Sequence, residues 1–569
     1  MVSVFFRSLS VPSTTPSRRS FVAFSVLAGV GLPVLAGCDL PGASKGKDSA
    51  SANGSASAKG KAKAGSTDWQ ELDAHIMGHK VAVRVSPVIR KNDTTSIMAL
   101  ELTRAKDDAS IDRVKTDSSD TEDNKLNISS YLGTPSIYRP GTGASLVKLL
   151  DLGSGRVWSA TDGSGADDGF LEITPGEKTT SYLSFGKVDT DTVTVMVPMA
   201  GFTTVSVLEA DAAKKASIDL DAASSNLDQF PDAATELAKP ATIERYTRAL
   251  DDSTSTHTGD KDVTVTLASD VTFASDSADL TPAADTQLQT VADQLDQYPD
   301  GGTLTIVGHT DDVQDDAYNQ TLSDKRANAV KTKLQQLTNL DKWNPTTTGK
   351  GESEPRVKDT TDEARAANRR VEITLTPTGG TNPKNSNTTA TPSNGNSNGK
   401  LPDPQGPVAK GPEGVTLTSK DTDTSSKVTI TLDHLTRQDG YLLGTITCTV
   451  KDGSTGAPLH PLLEDPQTLL ANQRDEDGSA LPTFNASDGL TLIASGERIF
   501  PADYLDADAE HHLPLTELNI SDHLKTGTTT ICTIWPDPGG DTITLDHPDG
   551  KYAVKDTAYR LTDIPIKNS

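Results

Sequence analysis

Ser184-Phe185-Gly186-Lys187 has the S-x-x-K spacing in which a lysine assists a nucleophilic serine, and Lys525-Thr526-Gly527 supplies the K-T-G tripeptide that accompanies it in acyl transfer. That chemistry needs the serine at the start of a helix, packed in the same domain as the K-T-G strand. Ser184 instead lies in a strand-like run, a whole further unit separates the two motifs, and the nearest match to S-D-N is Ser521-Asp522-His523, directly upstream of Lys525. Metal chemistry fares no better. His309 has no second His or Cys at ligand spacing and reads as a hydrogen-bonded structural residue. Asp117, Asp120 and Asp123 lack the EF-hand pattern and read as a solvated loop. No H-E-x-x-H, P-loop or dinucleotide fingerprint occurs. The sequence therefore carries no catalytic residues, no metal site and no cofactor, and the chemistry to look for is binding.

The elements that would position such a site are small. The chain has 569 residues, 34% hydrophobic and only 4% aromatic, which fits several modest β-rich domains joined by polar linkers. A net charge of −26 argues against nucleic-acid binding, because phosphate neutralisation needs a Lys/Arg surface. Three cysteines are too few for a disulfide scaffold or a multi-cysteine zinc site.

Residues 1–38 read as an export signal. Arg18-Arg19 precedes an apolar stretch over 22–36 that ends in Leu35-Ala36-Gly37-Cys38. The run is too short to span a bilayer as a helix. The paired arginines resemble a twin-arginine signal, and Leu-Ala-Gly-Cys resembles a bacterial lipobox, in which the Cys38 thiol receives a diacylglycerol. Membrane attachment through that lipid, on the extracytoplasmic face of the cell membrane, is the expectation. Residues 39–67 form a disordered tether; Lys45, Lys47, Lys59, Lys61 and Lys63 make it locally basic, as suits an anionic membrane surface.

Two stretches, 68–215 and 413–569, alternate at period two between turn signals and predict antiparallel, Ig-like β-sandwich domains. Examples are Lys80-Val81-Ala82-Val83-Arg84-Val85, Thr192-Val193-Thr194-Val195-Met196-Val197 and Leu443-Gly444-Thr445-Ile446-Thr447-Cys448-Thr449-Val450. The two can be matched as divergent copies. Ser145–Leu150 leading to Gly155–Trp158 corresponds to Gly489–Ile493 leading to Gly496–Phe500, and the Thr-rich 190–198 to 528–536. Cys448 and Cys532 each share a face with aliphatic neighbours, which leaves two readings: an inter-sheet disulfide, favoured by export, or two buried thiols. Residues 216–257 read as linker with short helices, and 379–412 as a disordered linker.

Between the linkers, 258–378 forms a β-α-β-α-β unit. Val263–Leu267 is a strand; Thr281 is an N-cap with Pro282 at the first helical position; Leu288, Val291, Leu295 and Tyr298 form a helical stripe. A second strand, Leu304–Val307, ends in Gly308-His309-Thr310-Asp311, a helix follows from about Tyr318, and strand 371–375 closes the unit. Asp311 thus stands at the carboxyl end of a strand, where ligands bind in α/β folds.

Thr305-Ile306-Val307-Gly308-His309-Thr310-Asp311, then Tyr318-Asn319, Leu322-Ser323, Arg326-Ala327 and Ala329-Val330, and finally Arg365-Ala366-Ala367-Asn368-Arg369-Arg370-Val371-Glu372 resemble the OmpA-like peptidoglycan-binding domain. The order and spacing hold over about 120 residues, a fifth of the chain. The resemblance implies noncovalent binding of the peptidoglycan stem peptide, usually at its diaminopimelate. Asp311 matches the carboxylate that takes the ligand's ammonium, Arg326 the guanidinium that takes its carboxylate, and Asn319, with Thr310, the polar lining. Arg365, Asn368 and Arg369 match the closing motif, as loop braces or contacts. A zwitterion does need one anion and one planar cationic fork, and Arg supplies the bidentate geometry. The competing account is a plain Asp311–Arg326 surface ion pair. The family usually has Gly where Gln314 and Ala364 stand, which asks whether those backbones need positive φ. The expected protein is a non-enzymatic lipoprotein linking membrane and wall. The alternative is an adhesion or sensor lipoprotein whose β-sandwiches bind an unknown protein or glycan, with the central domain as wall holder.

Overall fold

A computed structural model describes residues 63–108, 125–136, 139–161, 171–223, 237, 239–358, 360–381, 401–420, 425–451, 456–465, 486–506, 512–520, 523–549 and 556–569. The export signal with Cys38, the tether up to residue 62, the Asp117/Asp120/Asp123 cluster and linker residues 382–400 lie outside them.

The two β regions have the same strand order. In the first it runs Gln70–Ile76, His79–Val85, Thr95–Arg104, Val88–Arg90, Gly201–Glu209, Thr192–Val197, Lys148–Asp151, Arg156–Ser159, with Lys178–Gly186 also paired to Thr95–Arg104. In the second it runs Val415–Lys420, Ser425–Thr431, Tyr441–Val450, Leu435–Gln438, Tyr559–Asn568, Thr542–His547, Thr491–Ala494, Glu497–Ile499, with Gly527–Pro536 also paired to Tyr441–Val450. The correspondence corrects one match made from sequence: Thr192–Val197 answers to Thr542–His547, and Gly527–Pro536 answers to Lys178–Gly186. Each of the four strands contains at least two threonines, so composition does not tell them apart and pairing does. The sheets are also not purely antiparallel. Val207–Glu209 runs parallel to Val88–Arg90, and Leu435–Arg437 parallel to Ile566–Asn568, which the long intervening chain permits.

Nor do the regions stand apart as separate domains. Leu100, Trp158 and Val195 of the first share one buried core with Ile446, Ile531 and Trp535 of the second. Gly78 N donates to Thr528 O at 2.9 Å, and the buried Glu517 carboxylate accepts from Met199 N at 2.8 Å. Cys448 and Cys532 are free buried thiols, not a disulfide. They lie on neighbouring strands of one sheet, with Cys448 opposite Thr529 and Cys532 opposite Thr445. That odd three-residue offset puts their side chains on opposite faces. Cys448 packs in the main core, and Cys532 in a second cluster with Tyr504 and Ile534.

Within the central domain we label β1 (Val263–Ala268), α1 (Pro282–Asp296), β2 (Gly302–Gly308), α2 (Asp316–Leu337), β3 (Trp343–Gly349), α3 (Asp362–Asn368) and β4 (Arg370–Pro377). The sheet order is β3-β2-β4-β1, with β3 parallel to β2 and the other pairs antiparallel. Thr281 caps α1, accepting from Ala284 N at 3.3 Å, and Leu288, Val291 and Leu295 are buried against Ile306 and Ile373. Packing of α2 on the sheet is close enough that a Cβ on Gly308 or Gly349 would collide with the Ser323 carbonyl or the Asp324 amide. β3 and α3 are additions to the predicted unit. As an edge strand β3 tolerates Pro345.

The stretch read as linker over 216–257 contains strands. Ala241–Thr242 pairs with Arg156–Ser159, while Arg245–Ala249 pairs with both Thr254–Thr258 and Glu497–Ile499. Thr254–Thr258 in turn pairs with β1, so one sheet runs unbroken from the central domain into the second β region. Val408–Lys410, inside the second predicted linker, is likewise a strand on Tyr559–Asn568.

Candidate functional site

The site lies where β2 ends and α2 begins. His309 N donates to Arg370 O and Thr310 N to Gly351 O, both at 2.9 Å, which carries the chain off the sheet into the Asp311 loop. Asp311 folds that loop on itself, accepting from Val313 N at 3.3 Å, and Asp315 caps α2, accepting from Tyr318 N at 2.9 Å. Gln314 and Ala364 are absent from the described residues with positive φ, so neither position requires glycine.

Asn319 and Arg326 are seven residues apart on α2, two turns along one buried face. Asn319, expected among the polar lining, is buried and braces the loop. Its amide nitrogen is turned inward, donating to Asp311 O and Gln314 O at 3.1 Å and to the Glu352 carboxylate at 2.6 Å, and so fixes the loop. Arg326 is 5% exposed. Its Nε donates to Ser277 O at 3.0 Å, and its guanidinium carbon lies 5.1 Å from the Phe273 ring centroid. Among the described residues it forms no ion pair, and desolvation pulls its pKa below the usual arginine value, with Asp270 and Asp276 opposing.

Asp311 and Arg326 therefore do not pair with each other. Asp311 accepts from Arg369 Nη1 at 2.7 Å, and Arg369 turns its Nε and Nη2 to Asp270 at 2.7 and 2.6 Å. Arg365 donates to Asp312 at 2.8 Å on the rim. Asn368 exchanges two hydrogen bonds with the Val357 backbone, both 2.9 Å, and is a brace. His309 is buried, 3.8 Å from Glu372, and burial first, then Arg370, lowers its pKa to about 4, so it is neutral at pH 7. Among the described residues, neither His309 ring nitrogen nor the Thr310 hydroxyl finds a hydrogen-bond partner. Two exposed apolar side chains flank the loop, Val313 and Tyr318; the latter's hydroxyl donates to Asp276 O at 3.5 Å.

The arrangement sets a carboxylate, Asp311, and a guanidinium, Arg326, that has no anionic partner among the described residues, at the β2–α2 end of the domain, which suits a small ligand carrying both charges. Sequence reasoning missed Asp270, Phe273, Glu352 and the Asp276-Ser277 turn. Each acts through a contact with a residue far along the chain, and only Phe273, next to the β1 pattern, gave any apolar signal.

The OmpA family model matches residues 272–369. Outer membrane porin F of Pseudomonas aeruginosa is 42% identical over 103 residues, 18% of this chain and 29% of that protein. The Escherichia coli K12 protein YfiB is 36% identical over 111 residues, 19% of this chain and 68% of that protein. Among solved structures, the cell wall anchor of the T6SS from Pseudomonas aeruginosa is 30% identical, covering 21% of this chain and 83% of that one with a TM-score of 0.19. The chain spans under a third of the porins it matches, and the matched part is the central domain.

Proposed function

Because this chain belongs to the OmpA family through its central domain, we propose that it binds peptidoglycan noncovalently there and links the cell membrane to the wall, without catalysing a reaction. One observation carries the reading: a buried guanidinium, Arg326, that forms no ion pair among the described residues, at the same end of the domain as the Asp311 carboxylate at the close of β2. Desolvating a cation without a counter-charge is costly, so a carboxylate brought by the ligand is the natural partner. Asp311 takes the ammonium of the same group, with Thr310 beside it. A side chain with both charges is diaminopimelate; a lysine-type stem peptide offers Arg326 nothing. Cys38 carries the lipid, and the chain stands on the extracytoplasmic face of the membrane. The two β regions, which we read as paired β-sandwiches, remain the place for a protein or glycan partner.

Co-sedimentation of the compact unit 54–569 with insoluble diaminopimelate-type peptidoglycan tests this. The wild type should pellet, and Asp311→Ala and Arg326→Ala should stay in the supernatant. Pelleting of both variants like wild type would refute the assignment.

A further inference from the structure

The bracing arginines of the site each have an aspartate of their own. Arg365 has Asp312 at 2.8 Å, and Arg369 has Asp270 through two nitrogens at 2.7 and 2.6 Å. What is left over is one anion, Asp311, and one cation, Arg326. We propose that Asp270 is a specificity-determining positioning residue: by balancing Arg369, it keeps Asp311 attractive to the ligand's ammonium group. The inference rests on the wall-binding reading above.

The argument is one of charge. Arg369 also touches Asp311, at 2.7 Å, and a guanidinium stays protonated at any pH the protein meets. Asp311 and Arg369 alone sum to zero, and an arriving ammonium would feel a dipole. With Asp270 included the three groups carry one negative charge. The hydrogen bonding that Arg369 donates to Asp270 is the largest of the effects that push the Arg369 pKa further up. Asp270 is held in place by backbone as well. It lies in the turn Ser269–Thr272 that follows β1, and Ser269 N donates to Arg369 O at 2.9 Å, joining the two partners across 99 residues. Its side chain is 52% exposed and accepts its hydrogen bonds from Arg369, so its short-range effect is on Arg369, while its charge also reaches Arg326.

The test uses the full chain, with free meso-diaminopimelic acid followed by calorimetry and insoluble peptidoglycan followed by pelleting. Asp270→Asn should weaken both roughly tenfold, the loss shrinking as salt is raised. Adding Arg369→Gln to Asp270→Asn removes the uncancelled cation and should recover most of that loss. A purely structural brace predicts the reverse, since the double variant lacks both arms. Wild-type binding by Asp270→Asn, or a double variant no better than the single one, overturns the proposal while leaving wall binding intact. If wild type itself fails to bind either probe, both readings fall. Should Asp270→Asn not fold, Asp270→Glu decides: retained charge must give near-wild-type binding, and a tenfold loss there overturns the inference.

Discussion

Replacing Arg326 by Met separates a ligand-binding arginine from a structural one, because the two roles predict opposite effects on stability. In the free protein Arg326 has one hydrogen bond, to Ser277 O, and the face of Phe273. A charge-assisted bond contributes about 1.5–3 kcal/mol and a cation–π contact about 1–2 kcal/mol. Against these stands the desolvation of a guanidinium that is 5% exposed and has no anionic partner among the described residues, several kcal/mol in effect. Methionine keeps the aliphatic packing and suits the middle of α2, and Ser277 is only half-buried. The sum lies between about 1 kcal/mol lost and about 3 kcal/mol gained. Binding should respond the other way. Removing one side of a desolvated charge pair costs about 2–5 kcal/mol, a factor of roughly 30 to several thousand. Urea unfolding with an unchanged slope gives the first quantity, and titration with meso-diaminopimelic acid gives the second. A variant destabilised by more than about 2 kcal/mol that still binds would show that Arg326 braces the fold, and the reasoning would be wrong.

Asn319→Ala removes three bonds from one amide and leaves the Glu352 carboxylate without that partner, so it should cost about 2–3 kcal/mol and raise hydrogen exchange in the Asp311 loop; unchanged protection would refute the bracing role. Glu517 is fully buried, and desolvation raises its pKa from 4.5 to about 7, so its protonated form favours folding. That stability is complete below the unfolded carboxyl pKa and is lost as pH rises through about 7; at about 1.4 kcal/mol per unit it amounts to about 3 kcal/mol. Glu517→Gln lacks this term, so relative to wild type it should gain about that much between pH 4.5 and 8, and parallel stability curves would refute it.

Much of the central domain is legible because local signals agree there. Thr281 and Pro282 mark the start of α1, the apolar stripe sets its buried face, and the Gly308–Asp311 motif sits at a strand end. Strand β3 was hidden because Trp343 is its one large apolar residue, and an edge strand needs little more. Arg245–Ala249 and Thr254–Thr258 are so polar that their alternation resembles linker; they are strands because β1 on one side and Glu497–Ile499 on the other offer ladders to join. The cysteine pairing fails for a similar reason. Each thiol does point inward, but which inward face depends on register, and register is a property of two strands together. Asp270 shows the limit for the site itself, since nothing near it in sequence announces a partner 99 residues on.

The unbroken sheet changes what wall attachment means for the rest of the chain. A domain on a flexible linker would let the β regions sample any direction relative to the wall. Here Arg245–Ala249 is clamped on both sides, and its last register pairs run Thr247 to Ile499, Arg248 to Arg498 and Ala249 to Glu497. Beside them the Glu244 backbone bridges Asp503, with N–O separations of 2.7 and 3.1 Å. The Glu244 carboxylate meets Nε2 of His257 at 2.7 Å and of His512 at 2.9 Å, tying the hairpin to the second β region by side chains as well. The second β region shares its core with the first, so the three folded parts are one compact unit within 54–569. On the wall-binding reading, whatever docks on the β regions is held at a fixed place and angle on the peptidoglycan.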